Sequence, residues 1–211
     1  EIVLTGVNIG DFGKSTGESF FDLIKALDEQ VDVERFRISS IEPNLLTSEV
    51  IDFVASSQKF QPHFHIPLQS GSDAVLKSMR RRYRTELYAA RIEHIRTLLP
   101  HASIGVDVIT GFPNEDEAAF RATQEFLLQL PVSYLHVFTY SERGKTTAPR
   151  MEQSVPVEIR KQRTKVLRSL SLKKQQLPRL YQLRDGYALL AGLVDSSGIM
   201  KGAGGPLQTD E

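Results

Sequence analysis

Polar side chains and glycines that suit a ligand site follow the apolar runs of the chain, each at the point where a run ends. They are Asn8, Glu42, Gln69, Ser70 and Gly111, and the polar segment 141–147 follows the last run. Amides, carboxylates and hydroxyls exchange hydrogen bonds with a polar ligand, and glycine permits close approach to the backbone. If the runs are parallel strands, their carboxyl ends share one edge, and these groups surround a single ligand-binding mouth.

Two histidines in the run HFHIPL raise the question of a metal site. His63 and His65 alternate along a predicted strand, so their imidazoles share one face. Two imidazoles on one face can bind zinc, but the neighbouring sequence suggests no third ligand. Because most buried histidines simply form hydrogen bonds, the sequence predicts no set of metal ligands.

Carboxylates occur at two further places. Asp107 lies inside the apolar run SIGVDVI, where an unpaired buried carboxylate is costly. It therefore either pairs with a basic or backbone donor or faces the mouth, and both alternatives stay open. Glu115, Asp116 and Glu117 lie at a predicted helix start, where acids cap the helix and favour its dipole. Their predicted role is structural.

Five predicted strands alternate with helices and position these groups. The strands begin near residues 2, 35, 63, 103 and 134, a spacing of roughly 30 residues that is typical of βα repeats in a parallel sheet. We predict helix N-caps at Thr47, at Thr85 and at Asn114, the last with Glu117 as its reciprocal partner. Five strands are too few for an eight-fold barrel, which leaves a partial, open-sided barrel or a doubly wound sheet.

A long basic helix and a β segment are predicted after the last strand. The pattern over residues 156–177 predicts a helix that Pro178 ends or kinks, with its basic residues facing outward. Four apolar side chains are predicted to face inward: Ile159, Val166, Leu167 and Leu170. Residues 187–203 then indicate a β-hairpin.

Charge is distributed unevenly although the formal net charge is zero. Residues 158–184 contain nine basic residues and one acid, and residues 77–96 contain seven basic residues and two acids. This excess is larger than solubility requires and favours contact with nucleic acid through its phosphates. The chain has no cysteine, which fits a cytoplasmic protein, and no apolar run of membrane-spanning length.

Several spaced motifs resemble one family, the radical S-adenosylmethionine methylthiotransferases. The motifs are HFHIPLQSGSDAVLKSMRRRY, GVDVITGFPNEDEAAF and YLHVFTYSERGKTTA, preceded in the same order by EIVLTGVNIGDFG and FRISSIEP. HFHIPLQSGSD and HVFTYSER are most similar to the branch that acts on threonylcarbamoyladenosine in tRNA. One departure is GFPNEDE, where the family usually has GFPGETE.

The resemblance implies an α/β fold, a partial radical-SAM (βα) barrel of six parallel strands, five of which are present. It assigns residues 1–150 to the barrel, 151–182 to a basic connecting helix and 183–211 to the start of a small RNA-binding β-barrel called TRAM. It also implies an S-adenosylmethionine pocket in which Arg81 meets the methionyl carboxylate. The residues expected to line that pocket are Asn8, Glu42, Gln69, Ser70, Arg81, Asp107, Gly111 and Tyr140.

The implied chemistry depends on a 4Fe-4S cluster held by a CxxxCxxC motif. In the family, reductive cleavage of S-adenosylmethionine makes a radical that abstracts hydrogen from C2 of the modified adenine beside the anticodon, where a methylthio group is installed. The chain has no cysteine, so we expect a fragment that lacks the N-terminal domain and the cluster motif and is inactive by itself. The basic helices and the TRAM segment are expected to hold the tRNA anticodon arm.

The sequence leaves alternatives open for both the substrate and the functional class. Isopentenyladenosine and an aspartate of a ribosomal protein are alternative substrates within the family. A non-catalytic RNA-binding module is the alternative from another class. The exposed edge of the first strand also predicts self-association of the fragment.

Overall fold

Parallel strands and helices alternate along the computed structural model, which describes residues 1–142 and 154–183. The strands are β1 (Ile2–Leu4), β2 (Phe36–Ile38), β3 (His63–His65), β4 (Ser103–Thr110) and β5 (Tyr134–Thr139). The helices are α1 (Phe20–Gln30), α2 (Ser48–Ser56), α3 (Asp73–Ser78), α4 (Thr85–Leu98), α5 (Glu117–Gln129) and α6 (Val157–Leu183). The five predicted strands are all present, and each is followed by at least one helix.

The strands lie side by side in the order in which they occur along the chain. β1 pairs with β2, and β3, β4 and β5 form a second parallel ladder. A parallel bridge between Ser40 and His65, together with the Ile41 N–H donating to the His65 carbonyl at 3.1 Å, joins the two ladders. A doubly wound sheet reverses its strand order at a switch point, and this sheet does not. The partial barrel is therefore the alternative that the structure supports.

The hydrophobic core lies between one face of these strands and the helices. Side chains alternate across a strand, so β3 buries Phe64 in this core and leaves His63 and His65 on the other face, partly exposed. Helix α4 covers the core with Tyr88, whose ring is fully buried and whose hydroxyl donates to the Ile66 carbonyl at 2.7 Å. This two-sided arrangement explains why polar groups collect on the inner face of the barrel.

Two helix starts test the predicted caps of α2 and α4. Thr47 caps α2 as predicted, because its hydroxyl accepts from the Val50 N–H at 3.4 Å. The cap predicted at Thr85 is wrong by one residue, since Arg84 is the N-cap and Thr85 is already helical. The Thr85 N–H instead donates to the Asp73 carboxylate at 2.9 Å. A carboxylate from α3 thus does the work that a local cap would do.

The cap predicted at Asn114 is also wrong. Asp116 is the N-cap of α5 and accepts from the Ala119 N–H at 2.7 Å. Asn114 lies two residues earlier, in the left-handed region with φ of 68°, where it turns the chain. Glu117, the predicted reciprocal partner, pairs with Arg121 at 3.2 Å on the helix surface.

Helix α6 differs from the prediction in its orientation. Leu167 and Leu170 are buried as predicted, but Ile159 and Val166 are exposed (38% and 41%). Three of the basic residues predicted to face outward are instead buried: Arg160, Arg163 and Lys174. Their hydrogen bonds to carbonyl and carboxylate oxygens of the barrel decide which face of the helix packs. The helix continues past Pro178 to Leu183.

The chain divides into two compact units, Glu1–Gln175 and Gln176–Glu211. The domain boundaries predicted at 150 and 182 stay predictions. The predicted hairpin at 187–203, with the TRAM-like segment, lies outside the described residues, as does most of the segment 141–147. None of the described helices is both long and apolar enough to cross a membrane.

The edge of β1 has apolar side chains on its surface. Ile2 and Val3 are 42% and 48% exposed, and β2 is the one strand paired with β1 within the described residues. Self-association through this edge stays a prediction.

Candidate functional site

A polar cavity, which we call the rim cavity, lies at the carboxyl ends of β1 and β2. Within it, Oε1 of Glu42 accepts a hydrogen bond from Nη1 of Arg81 at 2.8 Å. Both side chains keep more than a quarter of their surface exposed (29% and 27%), so the pair is open to a ligand. The other polar lining residues are Asn8, Asp11, Asn44, Arg80 and Arg82.

The end of α3 delivers Arg81 to the rim cavity. Arg80 has a φ of 57°, and its N–H donates to the Lys77 carbonyl at 2.9 Å. The Arg81 N–H then donates to the Leu76 carbonyl at 2.9 Å. These two bonds form a Schellman motif, which ends a helix and turns the chain sharply. The motif therefore fixes the direction in which the chain carries Arg81 toward Glu42.

Three buried polar atoms of the rim cavity have no hydrogen-bond partner among the described residues. They are Oδ1 of Asn8, Oδ1 of Asn44 and Nε of Arg81. Because buried polar groups in proteins are almost always paired, two free acceptors and one free donor in one open cavity indicate a ligand site. A molecule with amino or hydroxyl donors and a carboxylate acceptor satisfies all three.

The loop after β3 is held in place by buried hydrogen bonds. Gln69 has a φ of 70°, and its N–H donates to the Asp107 carbonyl at 2.8 Å. Ser70 is fully buried, and its hydroxyl lies 3.2 Å from the hydroxyl of Thr123 on α5. A Cβ on Gly71 would lie 2.7 Å from the Thr123 Cα, so glycine is required here. The observed contact of Ser70 anchors the loop to α5, and its predicted contact with a cofactor stays a prediction.

Gly111 and Tyr140 directly follow the carboxyl ends of β4 and β5, respectively. The Phe112 ring packs edge-on against the Tyr140 ring, with centroids 5.3 Å apart. The Arg160 guanidinium lies over the Tyr140 ring at 5.2 Å, and its side chain fills the space beside Gly111. The buried Tyr140 hydroxyl has no hydrogen-bond partner in the described part of the chain. The Phe112 and Tyr140 rings, with Gly111 beside them, form a second surface on the rim, which we call the aromatic wall. A flat ligand group can pack against it.

A buried ion pair fixes the loop that carries Gly111. Oε2 of Glu115 accepts from the Gly111 N–H at 2.6 Å and from the Arg163 guanidinium at 3.0 Å. The Glu115 side chain is fully buried, and that of Arg163 is 7% exposed. Burial raises the pKa of Glu115 above its ordinary value, while the bonds from Gly111 and Arg163 oppose that rise. Glu115 therefore has the structural role predicted for it, although not as a cap.

Asp107 lies on the inner face between two histidines. Its Oδ1 is 2.9 Å from Nε2 of His65 and 3.3 Å from Nδ1 of His136. Asp107 is the register partner of His136 across β4 and β5, which explains why the two side chains meet. Of the two alternatives for Asp107, pairing with a basic donor is thus the one observed. His63, predicted to share a face with His65, lies 3.2 Å from the Tyr134 hydroxyl.

The structure brings five of the predicted site residues together in two groups and places the other three separately. Asn8, Glu42 and Arg81 share the rim cavity, and Gly111 and Tyr140 share the aromatic wall. Asp107 joins the histidines, Gln69 forms the loop turn, and Ser70 is buried against α5. Sequence reasoning missed three site residues: Asn44, His136 and Arg160. Asn44 follows the end of a strand, as Glu42 does, and His136 interrupts an apolar strand, as Asp107 does. The same sequence signals could therefore have identified both residues. No sequence signal marked Arg160.

Comparison with known proteins bears on this geometry. The family model described as the Radical SAM superfamily matches residues 4–127, more than half of the chain. The chain belongs to the radical SAM superfamily. This confirms the radical SAM part of the resemblance identified in the motifs, and members of this superfamily use S-adenosylmethionine and a 4Fe-4S cluster.

The curated relatives of this radical SAM chain include tRNA methylthiotransferases. It is 44% identical over 173 residues to the threonylcarbamoyladenosine tRNA methylthiotransferase MtaB of Bacillus subtilis, covering 81% of this chain and 38% of that one. The MtaB of Aquifex aeolicus is 36% identical over 200 residues, 95% of this chain and 48% of that protein. The tRNA-2-methylthio-N(6)-dimethylallyladenosine synthase of Streptomyces viridosporus is 39% identical over 165 residues, 77% of this chain and 33% of the relative. The chain thus spans less than half the length of these relatives.

A solved structure agrees with the radical SAM fold. Coproporphyrinogen III oxidase (HemN) from Escherichia coli, a radical SAM enzyme, superposes with a TM-score of 0.58 at 19% sequence identity. The match covers 72% of this chain and 36% of HemN. The likeness supports the partial barrel.

The two cofactors of the superfamily fit this chain differently. The rim cavity, with its unpaired donor and acceptors, fits the amino-acid and hydroxyl groups of S-adenosylmethionine. A 4Fe-4S cluster needs thiolate ligands, and none of the 211 residues is a cysteine. The residues present therefore do not fit the cluster.

Proposed function

We propose that this chain is the barrel part of an enzyme that methylthiolates threonylcarbamoyladenosine in tRNA. The observation that carries the proposal is the 44% identity over 173 residues with a Bacillus subtilis enzyme of that name. The basic residues along α6 add support, because an RNA substrate is bound largely through its phosphates. The chain spans 38% of that relative, so the proposal concerns the longer protein of which this chain forms a part.

The proposed role of the rim cavity is to hold S-adenosylmethionine. Arg81 donates to the methionyl carboxylate, which is a charge-assisted and therefore strong hydrogen bond. The unpaired oxygens of Asn8 and Asn44 and the carboxylate of Glu42 accept from the amino group and the hydroxyls. Gly111 and Tyr140 offer the aromatic wall to the adenine, and Gln69 shapes the loop between the two surfaces. In a longer protein that holds the cluster, bound S-adenosylmethionine would supply radical chemistry at a carbon that acid–base groups cannot activate.

A cationic groove on α6 is the proposed contact for the tRNA backbone. Lys161, Lys165 and Arg168 line it beside Thr139, the last residue of β5. All three cations are exposed, so their charges are accessible to the phosphates of an RNA backbone. The groove begins at the rim, so RNA bound there reaches toward the cofactor cavity.

Nucleoside mass spectrometry of bulk tRNA tests the proposed function. We expect deletion of the full-length gene to abolish the methylthio form of threonylcarbamoyladenosine and to let its unthiolated precursor accumulate. Loss of methylthio-dimethylallyladenosine instead contradicts the proposed branch, and the 39% identity to a dimethylallyladenosine synthase makes this the second candidate. Unchanged tRNA nucleosides contradict both.

Complementation with variants of the full-length gene tests the rim cavity. Arg81→Ala should reduce the methylthio nucleoside at least about tenfold, because it removes a charge-assisted bond to the cofactor. Arg121→Ala is the matched control, since Arg121 also pairs with a glutamate but lies 71% exposed on α5. Equal activity of the two variants contradicts the assigned role of Arg81.

The salt dependence of tRNA binding tests the groove. Lys165→Ala should weaken binding and lower the slope of log affinity against log salt by about one, as expected for one lost phosphate contact. Lys25→Ala on α1 is the control and should leave the slope unchanged. An unchanged slope for Lys165→Ala removes the groove from the interface.

A further inference from the structure

Three potential metal ligands from three adjacent strands converge on the inner face of the barrel. They are Nε2 of His65 on β3, Oδ1 of Asp107 on β4 and Nδ1 of His136 on β5. All three atoms lie within 4.8 Å of one another. We propose that these residues bind a divalent transition metal ion, with Zn²⁺ as the matching ion. The inference rests on this cluster alone and is independent of the proposed tRNA substrate.

The identity of the donors favours this class of ion. Two imidazoles and one carboxylate form the set that binds Zn²⁺ at open sites and leaves a position for water. Calcium and magnesium prefer oxygen donors, which makes them poor matches for two imidazoles. The donor set also differs from the thiolates that hold iron–sulfur clusters, so the proposed ion is distinct from the superfamily's cluster.

The distances are close to those of a bound ion. Metal–ligand bonds of about 2.0–2.1 Å in a tetrahedral site put neighbouring ligand atoms about 3.3 Å apart. The Asp107 oxygen lies 3.3 Å from the His136 nitrogen and 2.9 Å from the His65 nitrogen. The two nitrogens lie within 4.8 Å of each other, so an ion between the three side chains is within reach of all three atoms.

The surrounding residues hold the ligands and leave an entry path. Leu68 and Gln69 donate their N–H groups to the Asp107 carbonyl at 3.1 and 2.8 Å, which fixes the backbone of β4. The Tyr134 ring packs beside the His136 ring at 5.1 Å. A Cβ on residue Gly105 would collide with the Tyr134 ring, so glycine makes this packing possible. The His136 side chain is 52% exposed, which gives an ion and its water access.

A second histidine–aspartate pair provides an internal contrast. His94 on α4 lies 2.7 Å from the Asp52 carboxylate, also with one side chain partly exposed. Throughout residues 1–142 and 154–183, the inner-face cluster is the one group in which a third ligand is close enough to share an ion. A histidine–aspartate hydrogen bond alone accounts for the pair at His94, and the third ligand is what distinguishes the cluster at Asp107.

Isothermal titration of the chelator-treated chain with Zn²⁺ tests the proposal. We expect one ion per chain for the wild type and for His94→Ala, and at least about tenfold weaker binding for His65→Ala and His136→Ala, since each removes one of three ligands. Circular dichroism shows that the variants keep their fold, and the exposure of His136 makes that variant the safer one. Equal affinities of the wild type and His136→Ala, or equal losses in His94→Ala, overturn the site.

A spectroscopic probe gives a second readout that does not depend on affinity alone. Co²⁺ in a four-coordinate site with imidazole and carboxylate ligands absorbs visible light much more strongly than hexaaqua Co²⁺. The wild-type chain with Co²⁺ should develop this absorption, and Zn²⁺ should displace it. A Co²⁺ spectrum that is identical in the wild type and His136→Ala overturns the proposal, because it places the ion elsewhere.

Discussion

Two glutamate–arginine pairs lie on the same rim and differ in burial. Glu42 and Arg81 meet at 2.8 Å with both side chains more than a quarter exposed. Glu115 and Arg163 meet at 3.0 Å, with side-chain exposures of 0% and 7%. The first pair shares its cavity with unpaired polar atoms. In the second pair, the Glu115 carboxylate also accepts the Gly111 N–H, and its bond with Arg163 holds α6 against the barrel. Almost equal distances therefore accompany two different roles.

The two pairs differ in burial and in what can replace a lost partner, and these differences separate their roles. An exposed pair exchanges its partner for a ligand at little cost, because water replaces what is lost. A buried pair leaves an uncompensated charge when one partner is removed. We assign the pair of Glu42 and Arg81 to ligand binding and the pair of Glu115 and Arg163 to the stability of the fold.

Removal of each arginine should give the largest difference between the pairs. Arg163→Met should lower the free energy of unfolding by about 3–5 kcal/mol, since Glu115 then stays buried without its cation. Arg81→Met should lower it by about 1 kcal/mol or less, as for an exposed pair. Urea denaturation of both variants measures the difference. Equal losses contradict the division into structural and ligand-binding pairs.

Lys174 extends the comparison to a buried cation that pairs with no carboxylate among the described residues. Its Nζ donates to the Leu130 carbonyl at 2.7 Å, and burial lowers its pKa from 10.5 to about 8. Between these two pKa values the unfolded chain binds more protons than the folded chain, so the stability rises with pH in this window. Relative to Lys174→Met, the wild type should gain up to about 3 kcal/mol from pH 8 to pH 10.5.

Denaturation of both proteins at matched pH values measures the contribution of Lys174. Lys173→Met on the same helix turn is the control for loss of a lysine charge; it keeps Lys174, so its stability should still rise with pH over this window. A difference between the wild type and Lys174→Met that stays constant over the window contradicts the lowered pKa.

Burial of the Glu115 carboxyl should make the stability depend on pH. Burial raises the pKa of Glu115, so the folded chain holds its proton more tightly than the unfolded chain does. The contribution of Glu115 to stability is therefore fully present at low pH and is lost as the pH rises from about 4.5 through the raised pKa. Relative to Glu115→Gln, the wild type should lose stability over that rise, measured by thermal unfolding at several pH values. A gain over the same interval contradicts the assignment.

Helix caps should give the smallest effects and show whether the buried pair is coupled to its loop. Asp116→Ala and Thr47→Ala should each cost about 1 kcal/mol, the usual value for a lost N-cap. Asp116 follows Glu115 directly, so its loss should be non-additive with Arg163→Met, while the loss of Thr47 should be additive. Double-mutant cycles measure the coupling of each cap to Arg163. Additivity in both cycles would show that the Asp116 cap is not coupled to the buried ion pair.

The sequence predicts the strands better than it predicts the contacts of the helices. Five apolar runs with a regular spacing give the parallel sheet and place Asn8 and Glu42 at its rim, since strand ends follow directly from the pattern. The spacing does not supply the register between strands, and it is the register that brings Asp107 to His136. The resemblance to a known family supplied Arg81, which lies beyond a strand end.

The errors on α6 and α5 have different physical causes. Arg160 and Arg163 were predicted to be solvated because the periodicity of a helix reports hydrophobicity, not hydrogen bonding. Arg163 reaches Glu115, 48 residues earlier in the chain, and Arg160 reaches the Tyr140 carbonyl, 20 residues earlier. The cap of α5 was misplaced within NEDE because asparagine and aspartate cap equally well, and the backbone conformation of Asn114, with φ of 68°, decides between them.

The contact between Gly111 and Arg160 has a consequence for how related sequences can vary. Gly111 has a φ of +75°, and a Cβ there would collide with the Arg160 side chain. Any larger residue at position 111 is thus excluded twice, by its own backbone and by a helix 49 residues further along the chain. Relatives that keep the arginine should therefore keep the glycine. Loss of the arginine alone should not release position 111, because its positive φ still favours glycine. The constraint runs one way, from the rim loop to the helix that packs on it.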